Sequence, residues 1–338
     1  MSKDFQEWLQ AVDSEKPTHS DQQSATSSTR SAADDAQSSA NDAASPAVSA
    51  TSSRRKFLTT AGIAGLGALA ATALPTTSAQ AQLSSSNFRF DDFNILNFAL
   101  NLEYLEAEYY LRGAFGRGLD DSDTTGTGNR GAVIGGRQVP FATEAIRQYA
   151  EEIARDEEAH VKLLRNALGS RRVARPTIDI EQSFTTAARA AGLVGPNQSF
   201  DPYADEDSFL LGAFVFEDVG VTAYKGAAPF ILRRAFLSAA AGLLAVEAYH
   251  AGEIRTLLLQ RGLAGAAQAI SDLRDSADGP TDLDQGILDG NGRINIVPTD
   301  ANGLVFDRTT QQVLNIVYLG GAAANFGFFP NRLNGSIR

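Results

Sequence analysis

From residue 91 onward, apolar residues recur at intervals of three and four, the period of amphipathic helices rather than the alternation of half-buried strands. In the first such stretch Leu96, Ala99, Leu100, Glu103, Ala107 and Tyr110 share one face. Residues 113–140 are rich in Gly, Asp and Thr and lose the period, which predicts a long loop. A second helix is expected after Pro140, with Thr143 as its cap, running through Ile146, Tyr149, Ile153, Glu157, His160 and Leu164 to a stop at Gly169. Residues 171–205 carry Pro176, Pro196 and Pro202 and one short helical piece near Phe184 to Ala191, enough chain to cross from one end of a bundle to the other. A third helix is predicted from Asp205 to Gly226, with Phe209, Leu210, Ala213, Phe214, Glu217, Val221 and Tyr224 on one side. The fourth, Leu237 to Gly262, turns Leu243, Leu244, Glu247, His250 and Ile254 inward. Beyond it lie a Gly-, Asp- and Asn-rich extension to Asn302, a short helix near Thr309 to Leu319 and an irregular tail. The pattern is that of an all-α protein: a four-helix bundle with one long crossover, a long loop after the first helix and a C-terminal extension.

Carboxylates stand in the middle of these apolar faces, where an unpaired charge is costly and needs a partner. Glu157-Glu158-Ala159-His160 and Glu247-Ala248-Tyr249-His250 repeat one design at the same position of two helices and use two of the three histidines in the chain. Residues three apart on a helix differ by roughly 300° of rotation, so each motif offers a carboxylate and an imidazole to one side. Two such helices, with one further Glu from each of two partners, make the ligand set of a carboxylate-bridged dinuclear metal site. An internal duplication selects those partners. Glu103 is followed seven residues later by Tyr110, Glu217 by Tyr224, and each Glu precedes a helix with Glu-x-x-His. The expected ligands are therefore Glu103, Glu157, His160, Glu217, Glu247 and His250, with Glu106, one turn beyond Glu103, in reserve. Glu108 is assigned to a solvated face. Tyr110 and Tyr224 either donate hydrogen bonds to ligating carboxylates or pack between helices. Oxygen and imidazole donors suit two iron or manganese ions, and zinc would also bind.

Composition adds limits. Residues 1–52 are Ser-, Ala- and Asp-rich with few large aliphatic side chains and are expected to be disordered. Residues 53–81 contain Arg54-Arg55-Lys56-Phe57-Leu58, a Gly- and Ala-rich apolar run and Ala79-Gln80-Ala81, the layout of a twin-arginine signal peptide. A basic-flanked membrane anchor is the alternative; the run is weakly apolar for one. The long polar lead before the arginines is also compatible with a start codon placed too early. The bundle is then expected within residues 82–262 and the extension over 263–338. With no cysteine, disulfides, iron–sulfur clusters and thiolate zinc sites are excluded. A net charge of −11 without a basic block argues against nucleic acid as a partner. Asp289-Gly290-Asn291-Gly292 lacks the full acidic loop of a calcium hand and is read as a turn.

The Leu96-Asn97, Leu100, Glu103, Tyr110 pattern resembles the first helix of bacterioferritin, and Asp156-Glu157-Glu158-Ala159-His160 resembles its second, in the ferritin-like superfamily. That likeness implies that Asp156 orients a metal-bound histidine; Val246 stands where the second Asp would be, so the two histidines are expected to differ. A wider likeness, carried by Asn94 to Tyr110, Arg155 to Gly169, Phe216 to Ala227, Glu247 to Leu257, Arg308 to Tyr318 and Phe328-Phe329-Pro330, is to the ferritin-like, desiccation-related proteins. It implies the bundle and a link to stress. The expected function is an exported oxidoreductase, periplasmic or extracellular, in which Glu157 and Glu247 bridge two ions that react with O2 or H2O2, and Glu103 and Glu217 cap one each. A non-enzymatic stress protein with a structural or vestigial metal is the alternative. An iron-storing cage is disfavoured by the bulk at both ends of the bundle. The expected partners are the small oxidant and, during export, the twin-arginine translocase; further copies of the chain are left open.

Overall fold

The computed structural model describes residues 91–320 and 327–338, so the expected leader and signal lie outside the described residues. Four rods form the bundle. The first, α1 (Asp92–Phe115), starts where the Asp91 side chain accepts from the Asn94 N–H at 2.8 Å and ends at Gly116, whose φ of 68° lets its N–H close on the Arg112 carbonyl. The second, α2 (Glu144–Leu168), follows Thr143 and stops at Gly169. A crossover carrying α3 (Gln182–Ala190) leads to the third rod, and the fourth is the long helix α6 (Arg234–Gln260). The first two rods pack along each other, and so do the last two, as the duplicated pattern requires.

The third rod departs from expectation. In place of one helix there are two, α4 (Glu206–Phe214) and α5 (Glu217–Ala227). At the junction the N–H groups of Val215 and Phe216 reach back only three residues, to Gly212 and Ala213, at 3.2 and 2.9 Å. That tighter turn offsets α5 from α4 and leaves Glu217 at the very start of the new helix.

The extension is also more regular than its Gly, Asp and Asn content suggests. Helix α7 (Ala264–Asp278) follows Gly262, where φ is 73°, and buries Ala267, Ile270 and Arg274 against the bundle; α8 (Thr310–Val317) opens with a capping box between Thr309 and Gln312. The loop after α1 is tied down by a two-residue parallel pairing of β1 (Val133–Ile134) with β2 (Ile178–Asp179) in the crossover. Among the described residues, no helix is long and apolar enough to cross a membrane.

One side chain departs from its expected face. Glu108 is fully buried, with Arg175 on one carboxylate oxygen and Arg112 Nε 3.1 Å from the other. Charge on an apparently wet face is here neutralised by a partner 67 residues away, which helical spacing cannot show. Tyr149 is exposed, because at 100° per residue it lies about 80° around the helix from Glu157.

Candidate metal centre

Glu103 comes from the middle of α1, Glu157 and His160 from α2, Glu217 from the first turn of α5, and Glu247 and His250 from α6. All six are buried. The imidazoles face one another with ring centres 6.2 Å apart, and both turn Nδ1 toward the carboxylates. His160 Nδ1 lies 3.2 Å from Glu103 Oε2, 3.4 Å from Glu157 Oε2 and 3.8 Å from Glu247 Oε1. His250 Nδ1 lies 3.1 Å from Glu157 Oε1 and 3.7 Å from Glu217 Oε2. Glu157 thus presents one oxygen to each histidine, the placement a bridging carboxylate needs.

Buried polar atoms in proteins are almost always hydrogen-bonded. Here Glu103 Oε2, both oxygens of Glu157 and of Glu247, Glu217 Oε2 and the Nδ1 atoms of His160 and His250 are buried with no hydrogen-bond partner outside their own cluster. These are eight of the fourteen such side-chain atoms among the described residues; the other six are scattered over Arg172, Arg175, Tyr203, Arg255, Arg274 and Asp278. Oxygen and imidazole donors converging with no partner outside their own cluster fit a divalent metal ion.

The remaining oxygens are tied in a crossed pattern. Tyr110 on α1 donates to Glu217 Oε1, and Tyr224 on α5 donates to Glu103 Oε1, so each half of the duplication steadies the carboxylate of the other. Burial pushes both phenols well above their usual range, which keeps them protonated donors. Asp156 reaches across from α2 to His250 Nε2 at 3.2 Å. Val246, its counterpart on α6, offers His160 no such carboxylate. Glu106 is buried beside the site: a Cβ on Gly220 of α5 would lie 2.2 Å from Glu247 Oε2 and 3.4 Å from Glu106 Oε1.

Crowding of like charge sets the protonation. Burial lifts Glu103 to about 7 and Glu217 to about 8, against the pull of His160 and His250. Glu106 and Glu247 are lifted well above the carboxylate range by burial and by the neighbouring carboxylates. Burial opposes charge on the histidines, yet Glu103 and Glu157 raise His160 to about 11, and Glu157 and Glu217 raise His250 to about 9. Glu157 is also desolvated, but the two imidazoles hold it below the ordinary range. Without a cation the pocket keeps protons, so loading metal must release them.

Helical spacing could not reveal the buried arginines whose hydrogen bonds and ion pairs fasten this frame. Arg165 of α2 donates to the Tyr104 hydroxyl and to the Thr125 carbonyl, at 2.5 and 2.7 Å. Arg255, Arg274 and Arg308 are buried with Asp218, Asp278 and Asp284 between the third rod, α6 and the extension. An isolated buried Arg or Asp would have been the only signal.

An all-α bundle whose facing helices bring buried Glu and His side chains together defines a ferritin-like protein with a candidate metal site. Residues 91–260 match the family described as Ferritin-like domain. The chain is 32% identical to the desiccation-related protein PCC13-62 of Craterostigma plantagineum over 66% of this chain and 76% of that one. It is 28% identical to the ferritin-like catalase Nec2 of Nesocodon mauritianus over 73% of this chain and 84% of that one. No solved structure matches significantly. The chain belongs to the ferritin-like family, among its desiccation-related members.

Proposed function

We propose that this chain is an exported dinuclear-metal oxidoreductase that consumes hydrogen peroxide or dioxygen during drying and oxidative stress. The observation that carries the reading is the set of eight buried ligand atoms with no partner outside their own cluster. Glu103 with His160 would hold one ion, Glu217 with His250 the other, and Glu157 and Glu247 would lie between them. Two iron or manganese ions there would supply reversible electron exchange with the oxidant. Tyr110 and Tyr224 keep the outer oxygens of Glu217 and Glu103 turned away from the centre, and Asp156 fixes the ring of His250. The apolar walls of the rods keep bulk water from the reacting oxidant.

The chain has no cysteine and so no thiolate-bound iron to deliver electrons. Turnover then needs an external reductant, or none if two peroxides are disproportionated to dioxygen and water. The relative named as a ferritin-like catalase favours disproportionation. Export by the twin-arginine translocase, as a folded protein to the periplasm or the exterior, rests on residues 53–81. The name of the desiccation-related relative favours, as a second reading, a non-enzymatic protective role with a structural metal.

Metal content after Fe(II) or Mn(II) supplementation, followed by oxygen evolution from peroxide, separates the two readings. Two equivalents per chain, with peroxide consumption abolished in Glu157→Ala, support the oxidoreductase. Fewer than two equivalents, or equal peroxide consumption by Glu157→Ala and wild type, remove it.

A further inference from the structure

The break between α4 and α5 decides where Glu217 points. Two residues bonded in a tighter, three-residue turn advance by about 120° each in place of about 100°, so they rotate the start of α5 by about 40° relative to a continuous helix. At a side-chain radius of roughly 5–6 Å, that rotation moves the Glu217 carboxylate by about 4 Å. A metal–oxygen bond tolerates a small fraction of that distance.

The break is held from outside the bundle. Arg274 of α7 donates through Nη1 to the Phe214 carbonyl at the junction, and its Cζ sits 4.4 Å from the centre of the Phe214 ring. Its Nη2 donates to Asp218, the residue after Glu217, at 2.9 Å and to Asp284 at 2.7 Å. On the other side Arg255 of α6, the helix of Glu247 and His250, donates to the same Asp218 oxygen at 2.7 Å. Arg308 completes the group with Asp278 and Asp284, both at 2.7 Å, but its bonds to the bundle go to Thr222, further along α5. Three arginines and three aspartates balance, and all are buried. Buried ion pairs add little stability over apolar packing of equal volume, but their bonds are directional. Here the direction fixed is that of the first turn of α5.

We propose that Arg274 is a positioning residue for Glu217: the C-terminal extension, through Arg274 clamping Phe214 and Asp218, sets the helix break that aims this carboxylate into the metal centre. The proposal rests on the dinuclear reading of the site. It gives the extension a part in assembling the centre without contributing a ligand.

The test uses the full chain, Mn(II) titration and the Mn(II) electron paramagnetic resonance spectrum, with helix content followed by circular dichroism. Arg274→Met is compared with Arg308→Met, which disturbs the same ion cluster away from the break. The expected result is that Arg274→Met keeps its helices, binds the first Mn(II) as wild type does and the second at least tenfold more weakly, and loses the signature of two coupled ions. Arg308→Met should retain both equivalents. If Arg274→Met does not fold, Arg274→Lys, which keeps the charge but replaces the planar fork with a single shorter-reaching nitrogen, carries the comparison. Wild-type binding of both ions by the Arg274 variant overturns the proposal, as does equal loss in the Arg308 variant or unfolding of both Arg274 variants. A wild-type chain that takes up no Mn(II) overturns the reading of the site itself, and this proposal with it.

Discussion

Replacing Gly220 with alanine separates the stability of α5 from the placement of Glu247. Gly220 closes the first turn of α5, and it has no positive φ that would require glycine. Alanine is favoured over glycine inside a helix by about 1 kcal/mol, so the substitution on its own stabilises the rod. The new methyl, however, would start 2.2 Å from Glu247 Oε2, and real contacts of this kind stay beyond 3.0 Å. The carboxylate must withdraw by at least 0.8 Å, which a Glu side chain does at small conformational cost. Ligand positions in a metal site tolerate only about 0.2 Å. Metal affinity should therefore fall about tenfold or more, roughly 1.4 kcal/mol, while metal-free Gly220→Ala melts at or above the wild-type temperature. Calorimetric Mn(II) titration and thermal unfolding in chelator measure the two effects on the same preparation. Wild-type affinity for both equivalents would refute the claim that Glu247 packs on a bare backbone in order to reach the ions.

Asp156→Asn should weaken one metal position about tenfold and leave the other near wild type, because Asp156 meets only His250; equal weakening of both equivalents in a metal titration would contradict it. Metal-free protein should lose stability as pH rises from about 5 to 9. Glu103, Glu217, His160 and His250 all hold protons more tightly folded than unfolded, so their contribution is full below the unfolded pKa and fades through about 7, 8, 11 and 9. Glu157, shifted the other way, matters only at acid pH. Metal affinity should rise over the same interval with release of protons; a melting temperature in chelator that climbs with pH would exclude this account. Glu108→Ala should cost about 3 kcal/mol of stability by stranding the buried Arg175, while metal stoichiometry stays at the wild-type value; a melting curve unchanged from wild type would show that the pair is not closed.

What the linear chain determined is what repeats at the period of a helix. The apolar spacing placed four rods, Gly169 ended one of them, and the order Glu, then Glu-x-x-His, written twice, named six side chains that the fold brings within reach of one another. The Glu-to-Tyr spacing was legible as well, but not its destination: Tyr110 serves Glu217 and Tyr224 serves Glu103, across the interface between the two hairpins. Tertiary structure alone decided the rest, because it turns on partners far apart in the chain. Glu108 is buried because Arg175 meets it, α7 packs where composition suggested a coil, and the third rod breaks before Glu217 with the Phe214 carbonyl held by Arg274. Periodicity reports which face of a helix is apolar; whether a charge off that face is buried and neutralised depends on residues that only folding brings near.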